Sequence, residues 1–219
     1  MVKANRSTIL RSRDRFWRPG DIAGAPSTVQ HLLADLAKGG ELRRVRKGLY
    51  WRGTKTPLGM SPPPIDALAA EVSGDKGVGP AGLSAANLLR LSTQVPRRAQ
   101  IAVPARAGRS TPTVEFVSRA ARTGRRSAGL DRTEVAMLEV LNDLSTSELS
   151  PQESWRALRG AVTSGRVRPD RLAKAAKTEP AVTRARLSEL LTDAGMAGLA
   201  AKVPPADPRV RERALASFK

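Results

Sequence analysis

The apolar residues between positions 27 and 38 recur every three or four positions, and the opposite side of the helical wheel is polar or small. The apolar side holds Val29, Leu32, Leu33, Leu36 and Ala37. This spacing predicts an amphipathic helix that buries one face. Ser27 is suited to be the N-cap, since its hydroxyl can accept a hydrogen bond from a free backbone N–H of the first turn. Gly39 and Gly40 end the helix.

Two short helical segments precede this helix, and a basic hairpin follows it. The helices are expected at about residues 7–15 and 19–23. Residues 41–52, ELRRVRKGLYWR, place a Lys-Gly turn between two short strands, although Leu42 and Val45 lie three residues apart and disturb the alternation of a regular strand. The order helix, tight turn, amphipathic helix and two-stranded wing predicts a winged helix-turn-helix.

A winged helix-turn-helix places its third helix in the major groove of DNA, and its wing lies against the backbone. The predicted base-reading residues are the exposed ones near the start of the helix: Ser27, Thr28, Gln30 and His31. The predicted phosphate contacts are the cations at its end and in the wing: Lys38, Arg43, Arg44, Arg46, Lys47 and Arg52. A glutamine can bond bidentately to adenine, and a serine or threonine can serve several base edges. The alternatives are a solvated His31 and a solvated charged hairpin.

The segment TKTPLGMSPPP is typical of a semi-rigid spacer, and it divides the chain into domains 1–56 and 57–219. The second domain is expected to contain helices at 65–72 and 83–91, two strands in AQIAVPA and PTVEFVS, and a mostly helical half from residue 130. Asp131 with Glu134 and Ser150 with Glu153 have the spacing of capping boxes. The predicted fold class is α+β, with a winged helix joined to a larger mixed domain that has a small sheet.

The charge of the chain strengthens the DNA-binding hypothesis. Its 219 residues include 38 Lys and Arg against 20 Asp and Glu, a net charge of +18. Residues 1–56 hold 13 of the cations and 4 of the acids, a net +9, and the remaining residues carry the other +9 over nearly three times the length. Such an excess points to a polyanionic partner. A GC-rich coding sequence would also raise the arginine content, but it would not lower the number of acids.

Several kinds of chemistry are excluded by composition. The chain has no Cys and a single His, so thiolate metal sites, cysteine nucleophiles and multi-histidine zinc sites are impossible. Gly77, Gly79 and Gly82 match G-x-G-x-x-G, but no apolar strand precedes them and no acid lies between Asp75 and Glu115 to hold a ribose. We interpret these glycines as a loop that lets a helix pack closely. No catalytic residue, metal or cofactor is predicted.

The sequence also shows no signal peptide and no membrane-spanning segment. The N-terminal residues are basic but have no apolar core, which is unlike a signal peptide. No apolar run approaches the roughly 18 residues that a membrane span requires. We therefore expect a cytoplasmic protein without a membrane partner, associated with the nucleoid when it is bound to DNA.

Two stretches, PSTVQHLLADLAKGGELRRVRKGLYW and SAANLLRLSTQVPRRAQIAVP, resemble the AbiEi-type antitoxins of bacterial type IV toxin–antitoxin systems. The resemblance covers roughly residues 7–145, and residues 84–96 carry its more specific motif. It implies a winged-helix domain that binds operator DNA and represses its own operon. It also implies a larger C-terminal domain that counters a nucleotidyltransferase-like toxin, and no enzymatic activity.

Residues 76–114 contain no acid and are the candidate surface that faces the toxin. The candidate residues there are Arg90, Arg97, Arg98 and Arg106. One alternative is a winged-helix transcriptional regulator whose C-terminal domain senses a ligand or dimerises, with no toxin partner. A second is an enzyme acting on nucleic acid with magnesium held by carboxylates such as Asp66, Glu71 or Glu115, although these form no recognisable motif.

Overall fold

The computed structural model describes residues 3–218 and has an α+β fold. The chain divides into two compact units, one ending at Glu71 and the other beginning at Val72. The predicted fold class is therefore confirmed. Among the described residues, no helix combines the length and the apolar character needed to cross a membrane.

The first unit begins with the element order of a winged helix-turn-helix. Its elements are α1 (Arg6–Arg11), β1 (Arg15–Trp17), a 3-10 turn (Pro19–Asp21), α2 (Pro26–Lys38), β2 (Arg43–Arg46) and β3 (Leu49–Arg52). The strands form an antiparallel sheet in the order β1-β3-β2. The amphipathic helix and the two-stranded wing are confirmed, whereas strand β1 was not predicted.

Two local expectations for this unit were wrong. Helix α2 starts at Pro26, and its N-cap is Ala25, which makes no side-chain cap, so Ser27 lies inside the first turn. Proline suits this position because the first helical N–H has no partner in any case. Helix α1 ends at Arg11 rather than near Arg15, because the chain there turns into β1.

The core of the first unit lies between α2 and one face of the sheet. It contains the apolar side of α2 together with residues from each neighbouring element: Ile9, Trp17, Ile22, Val29, Leu33, Leu36, Leu42 and Tyr50. Trp17 pairs with Tyr50 across β1 and β3, so both rings lie on the side of the sheet that faces the helices.

The supposed spacer is part of the first unit. Residues Lys55–Thr56 (β4) and Gly59–Met60 (β5) form an antiparallel hairpin. The hairpin is fixed by hydrogen bonds from the Gly53 amide to the Met60 sulfur (3.2 Å) and from the Thr54 amide to Ser61 Oγ (3.0 Å). A Cβ atom on Gly53 would clash with Trp51 Nε1 and lie 2.6 Å from Ser61 Oγ, so this position has no room for a side chain. Since helix α3 (Ile65–Ser73) follows and the unit ends at Glu71, the boundary expected at residue 56 is too early.

The second unit is a small sheet followed by a mostly helical half. Its elements are β6 (Gly79–Pro80), α4 (Gly82–Leu88), β7 (Ala99–Val103), β8 (Val114–Ser118), α5 (Gly124–Ser127), α6 (Arg132–Asn142), α7 (Pro151–Thr163), α8 (Pro169–Ala175), α9 (Ala181–Asp193), α10 (Ala197–Ala200) and α11 (Pro208–Leu215). The sheet order is β6-β7-β8, with β7 and β8 parallel. Both predicted strands and both predicted capping boxes are confirmed.

The glycine loop of this unit has the packing role that its sequence indicated. A Cβ atom on Gly79 would lie 2.8 Å from Val135 Cβ, and one on Gly77 would lie 2.7 Å from the carbonyl carbon of Arg125. Both approaches are closer than side-chain carbons tolerate, so glycine is required for β6 to reach α6 and α5.

A buried ion network joins the sheet side of the second unit to its helices. The fully buried Arg125 donates from Nε and Nη2 to Glu179 (2.6 and 2.9 Å) and from Nη1 to Glu139 (2.7 Å). Glu139 also accepts hydrogen bonds from Arg119 and Arg122. Burial raises the pKa of the Glu139 carboxyl, but the hydrogen bonds and charges of its arginine partners outweigh burial, and the pKa is lowered overall.

Candidate nucleic-acid interface

Helix α2 presents the four predicted base-reading side chains to solvent. Ser27, Thr28, Gln30 and His31 are exposed, whereas Val29 between them is buried against the core. Residues three and four apart lie next to each other on a helix surface, so the four side chains form one polar patch over the first two turns. The patch offers hydroxyl, amide and imidazole groups, which include both donors and acceptors. Lys38 is exposed at the other end of the helix.

The wing turns tightly between β2 and β3. Gly48 adopts a positive φ of 72°, which favours glycine, and Lys47 beside it is exposed. The pairing shifts register between Arg44 and Arg46, so Val45 is bulged out of the ladder. The three-residue spacing of Leu42 and Val45 in the sequence indicated this irregularity. A bulge of this kind increases the local twist of the two paired strands.

The cations of the wing fall into two groups. Arg44 and Lys47 are exposed and Arg46 is half-buried, and none of the three side chains forms a hydrogen bond or an ion pair with any of residues 3–218. Arg43 is exposed but donates from Nη1 to the Met60 carbonyl (3.1 Å), which ties it to the β4–β5 hairpin. The free cations are therefore concentrated at the turn of the wing.

Arg52 does not fit its predicted role as a phosphate contact. Its guanidinium donates to the carbonyls of Glu41 and Leu10, both at 3.1 Å, and lies 3.5 Å from the Glu41 carboxylate. Only 15% of its side chain is exposed. Arg52 therefore links α1 to the wing, and we remove it from the predicted phosphate contacts.

Glu41 is a residue whose importance local sequence patterns did not reveal. Its carboxylate accepts a hydrogen bond from Lys55 Nζ (2.5 Å), and this bond together with the charges of Lys55 and Arg52 lowers its pKa. Glu41 thus offsets part of the positive charge of Arg52 and Lys55 at the base of the wing, whereas no carboxylate pairs with the described cations at its tip. Little sign of this cluster is visible in the sequence because Glu41, Arg52 and Lys55 are separated along the chain. They meet only through the sheet and the β4–β5 hairpin.

The four arginines that were expected to face a toxin do not share one segment. Arg90 follows α4 with a positive φ of 62°, Arg97 and Arg98 precede β7, and Arg106 follows it. A five-residue strand spans about 17 Å, so Arg106 and the Arg97–Arg98 pair lie at opposite ends of β7. All four are exposed.

The carboxylates considered for a magnesium site are dispersed. Glu71 pairs with Arg18 at 2.8 Å in the first unit, and Glu115 lies on β8 of the second. Within residues 3–218, no group of three or more His, Cys, Asp or Glu side chains has the arrangement of a metal site.

Comparison with known proteins adds information about the fold. No protein-family model matches the chain, and no curated protein matches its sequence. Among solved structures, the chain is similar to the RV2827C protein from Mycobacterium tuberculosis, with 20% sequence identity and a TM-score of 0.50. The similarity covers 92% of this chain and 80% of that protein. At this identity it concerns the fold alone.

Proposed function

We propose that this chain is an antitoxin that binds operator DNA through its first unit, represses its own operon and counters a nucleotidyltransferase-like toxin through its second. The observation that carries the DNA-binding part is the exposed polar patch at the start of α2, in a unit whose wing ends in cations without a side-chain partner in the described part of the chain. In this proposal the protein has no enzymatic activity and needs no cofactor. It resides in the cytoplasm and is associated with the nucleoid when bound.

The two surfaces of the first unit have different tasks in this proposal. Gln30 and its neighbours read base edges in the major groove, where each base pair has a distinct pattern of donors and acceptors. Arg44, Arg46 and Lys47 contact phosphates. These contacts release the counterions bound to DNA, and they supply affinity that does not depend on the base sequence. Lys38 and Arg43 add to the same backbone contact. Specificity and affinity therefore depend on separate residues.

The antitoxin part rests on the resemblance of residues 7–145 to AbiEi-type antitoxins. It is supported by the division of the chain, because the second unit has its own large apolar core and its own buried ion network. A unit with a separate core can fold and act separately. Repression and neutralisation can thus be assigned to different parts of the chain.

The proposal is tested with the promoter and the gene adjacent to this protein's own gene. The purified chain should bind a duplex that carries the promoter more tightly than a scrambled duplex of the same composition. Co-expression should restore growth to cells that produce the adjacent toxin. If the promoter is bound but no toxin is encoded nearby and growth is not restored, the alternative applies, a winged-helix regulator with a ligand-sensing or dimerising second unit.

A further inference from the structure

A cavity in the second unit is formed by helices α9, α10 and α11. Residues of these helices and of the segment 203–206, which lies between α10 and α11, line a space of about 770 Å³. Small molecules are bound in clefts of roughly 300–1,000 Å³, so the cavity is large enough to hold one. All of its lining residues belong to the second unit, so its shape is defined within a single compact body.

Most of the cavity wall is aliphatic and held in a fixed shape. Proline rings restrict the backbone of the segment 203–206, and none of the lining residues that the structure describes is aromatic. A wall of this kind accommodates a saturated chain, whereas it offers no ring on which a planar group could stack. The aliphatic lining includes Ala185, Ala200, Val203, Pro204, Pro205 and Leu215.

Arg184 adds a guanidinium without a partner to this wall. Its Nε is buried and has no hydrogen-bond acceptor, and the side chain forms no hydrogen bond or ion pair with any of residues 3–218. Arg186 on the same helix, by contrast, donates to the carbonyls of Ala214 (3.0 Å) and Leu141 (2.9 Å). A buried N–H without an acceptor is unfavourable, so Arg184 favours a ligand that brings an acceptor into the cavity.

The other charges of the cavity limit how much negative charge a ligand can carry. Glu189 and Glu212 also line it, and Arg211 is already paired with Glu189 at 2.8 Å. Arg184 is thus the lining cation that has no carboxylate partner in the described part of the chain. A polyanion would be repelled by the two glutamates, whereas a single carboxylate can accept both hydrogen bonds of the Arg184 fork.

We propose that this cavity binds a small aliphatic monocarboxylate, with its carboxylate on Arg184 and its chain against the aliphatic wall. Ser188 lies one helical turn after Arg184 and also lines the cavity. Its hydroxyl lies 3.5 Å from the Ala200 carbonyl, at the limit of a hydrogen bond, and can donate to a carboxylate oxygen instead. The site goes beyond the proposed function and depends on neither DNA nor a toxin.

The test is isothermal titration calorimetry of the full chain with octanoate, octanamide and octyl phosphate, which share an aliphatic chain and differ in the head group. Octanoate should bind about tenfold more tightly than either of the others, because a hydrogen-bonded charge pair is worth that much. Arg184→Met keeps an aliphatic side chain and removes the charge. It should weaken octanoate binding by about tenfold and leave octanamide binding unchanged.

Two further variants separate the site from the general positive charge of the chain. Arg213→Met is the matched control, because Arg213 is an exposed cation of α11 that does not line the cavity, and it should leave octanoate binding unchanged. Ala201→Phe places a ring at the exposed edge of the cavity and should weaken octanoate and octanamide alike. Thermal unfolding followed by circular dichroism checks that each variant is folded.

Four results would overturn the proposal. The first is a wild-type chain that does not bind octanoate at millimolar concentration. Equal binding of octanoate and octanamide would show that the cavity does not recognise a carboxylate, and tighter binding of octyl phosphate would make it a phosphate site. Octanoate binding that is unchanged in both folded Arg184→Met and folded Ala201→Phe would place the bound acid elsewhere on the chain.

Discussion

Arg52 Nη1 lies 3.5 Å from the Glu41 carboxylate and donates a hydrogen bond to the Glu41 carbonyl, although Arg52 belongs by sequence to the basic wing. The same guanidinium reaches the Leu10 carbonyl at the end of α1. The wing therefore contains one arginine that holds the unit together and, at its tip, cations whose side chains have no hydrogen-bond or ion-pair partner among residues 3–218. If the proposed function holds, stability and DNA binding therefore depend on different cations of the wing.

The first prediction concerns Arg52. Arg52→Met leaves the Glu41 and Leu10 carbonyls without their donor, so the first unit should lose about 1–3 kcal/mol of stability. The salt dependence of DNA binding should not change. Urea unfolding measures the first effect, with Arg44→Met as the matched control that leaves stability unaltered. Equal stability of the two variants would show that Arg52 has no structural role.

The second prediction concerns base reading by α2. Gln30→Ala and Thr28→Ala should each reduce discrimination between the operator and a scrambled duplex by about 1–3 kcal/mol, which is the range for removing one good hydrogen-bonded pairing with a base edge. Lys38→Ala is the control, because removing a phosphate contact weakens binding to both duplexes alike. Competition binding with the two duplexes checks this. Full discrimination by both α2 variants would mean that another element reads the bases.

The third prediction concerns the limits of the first unit. A fragment ending at residue 71 should fold and bind the operator, whereas one ending at residue 56 should not, because it lacks the Met60 and Ser61 that accept hydrogen bonds from the Gly53 and Thr54 amides. A fragment beginning at residue 72 should restore growth against the toxin without binding DNA. Circular dichroism and operator binding distinguish the fragments. A folded fragment 1–56 that binds DNA would contradict the role given to the hairpin.

Much of this architecture could be predicted from local sequence patterns. The apolar side of α2 was visible in its 3.6-residue period, and the capping boxes at Asp131 and Ser150 were visible in their three-residue spacing. Strand β1 was missed because three residues are too few to show alternation. The β4–β5 hairpin was missed because its Pro57 and Gly59 are also typical of a linker.

The candidate site was less predictable than the fold. The polar patch of α2 follows directly from its period, and its exposure is confirmed. The engagement of Arg52 by Glu41 depends on a contact across the sheet, and the cavity beside Arg184 depends on how α9, α10 and α11 pack. Which cations are free is thus decided by long-range contacts that a local pattern does not contain.

The fourth prediction concerns the buried ion network of the second unit. Glu179→Ala leaves the fully buried Arg125 without two of its hydrogen bonds, and it should destabilise the unit by about 3–5 kcal/mol. Glu189→Ala is the control, since its pair with Arg211 is exposed and contributes at most about 1 kcal/mol. Urea unfolding of the fragment beginning at residue 72 measures both. A decrease in stability below about 1 kcal/mol for Glu179→Ala would show that Arg125 finds other partners.

The most direct test of the account is the salt dependence of binding to the promoter duplex, measured by fluorescence anisotropy for the wild-type chain and for Arg44→Ala, Lys47→Ala and Arg52→Met. Removing one phosphate contact should reduce the slope of log affinity against log salt by about 0.9. We predict this reduction for Arg44→Ala and for Lys47→Ala, and the wild-type slope for Arg52→Met. A wild-type slope in both wing-tip variants would contradict the account, because the wing would then not lie on the DNA backbone.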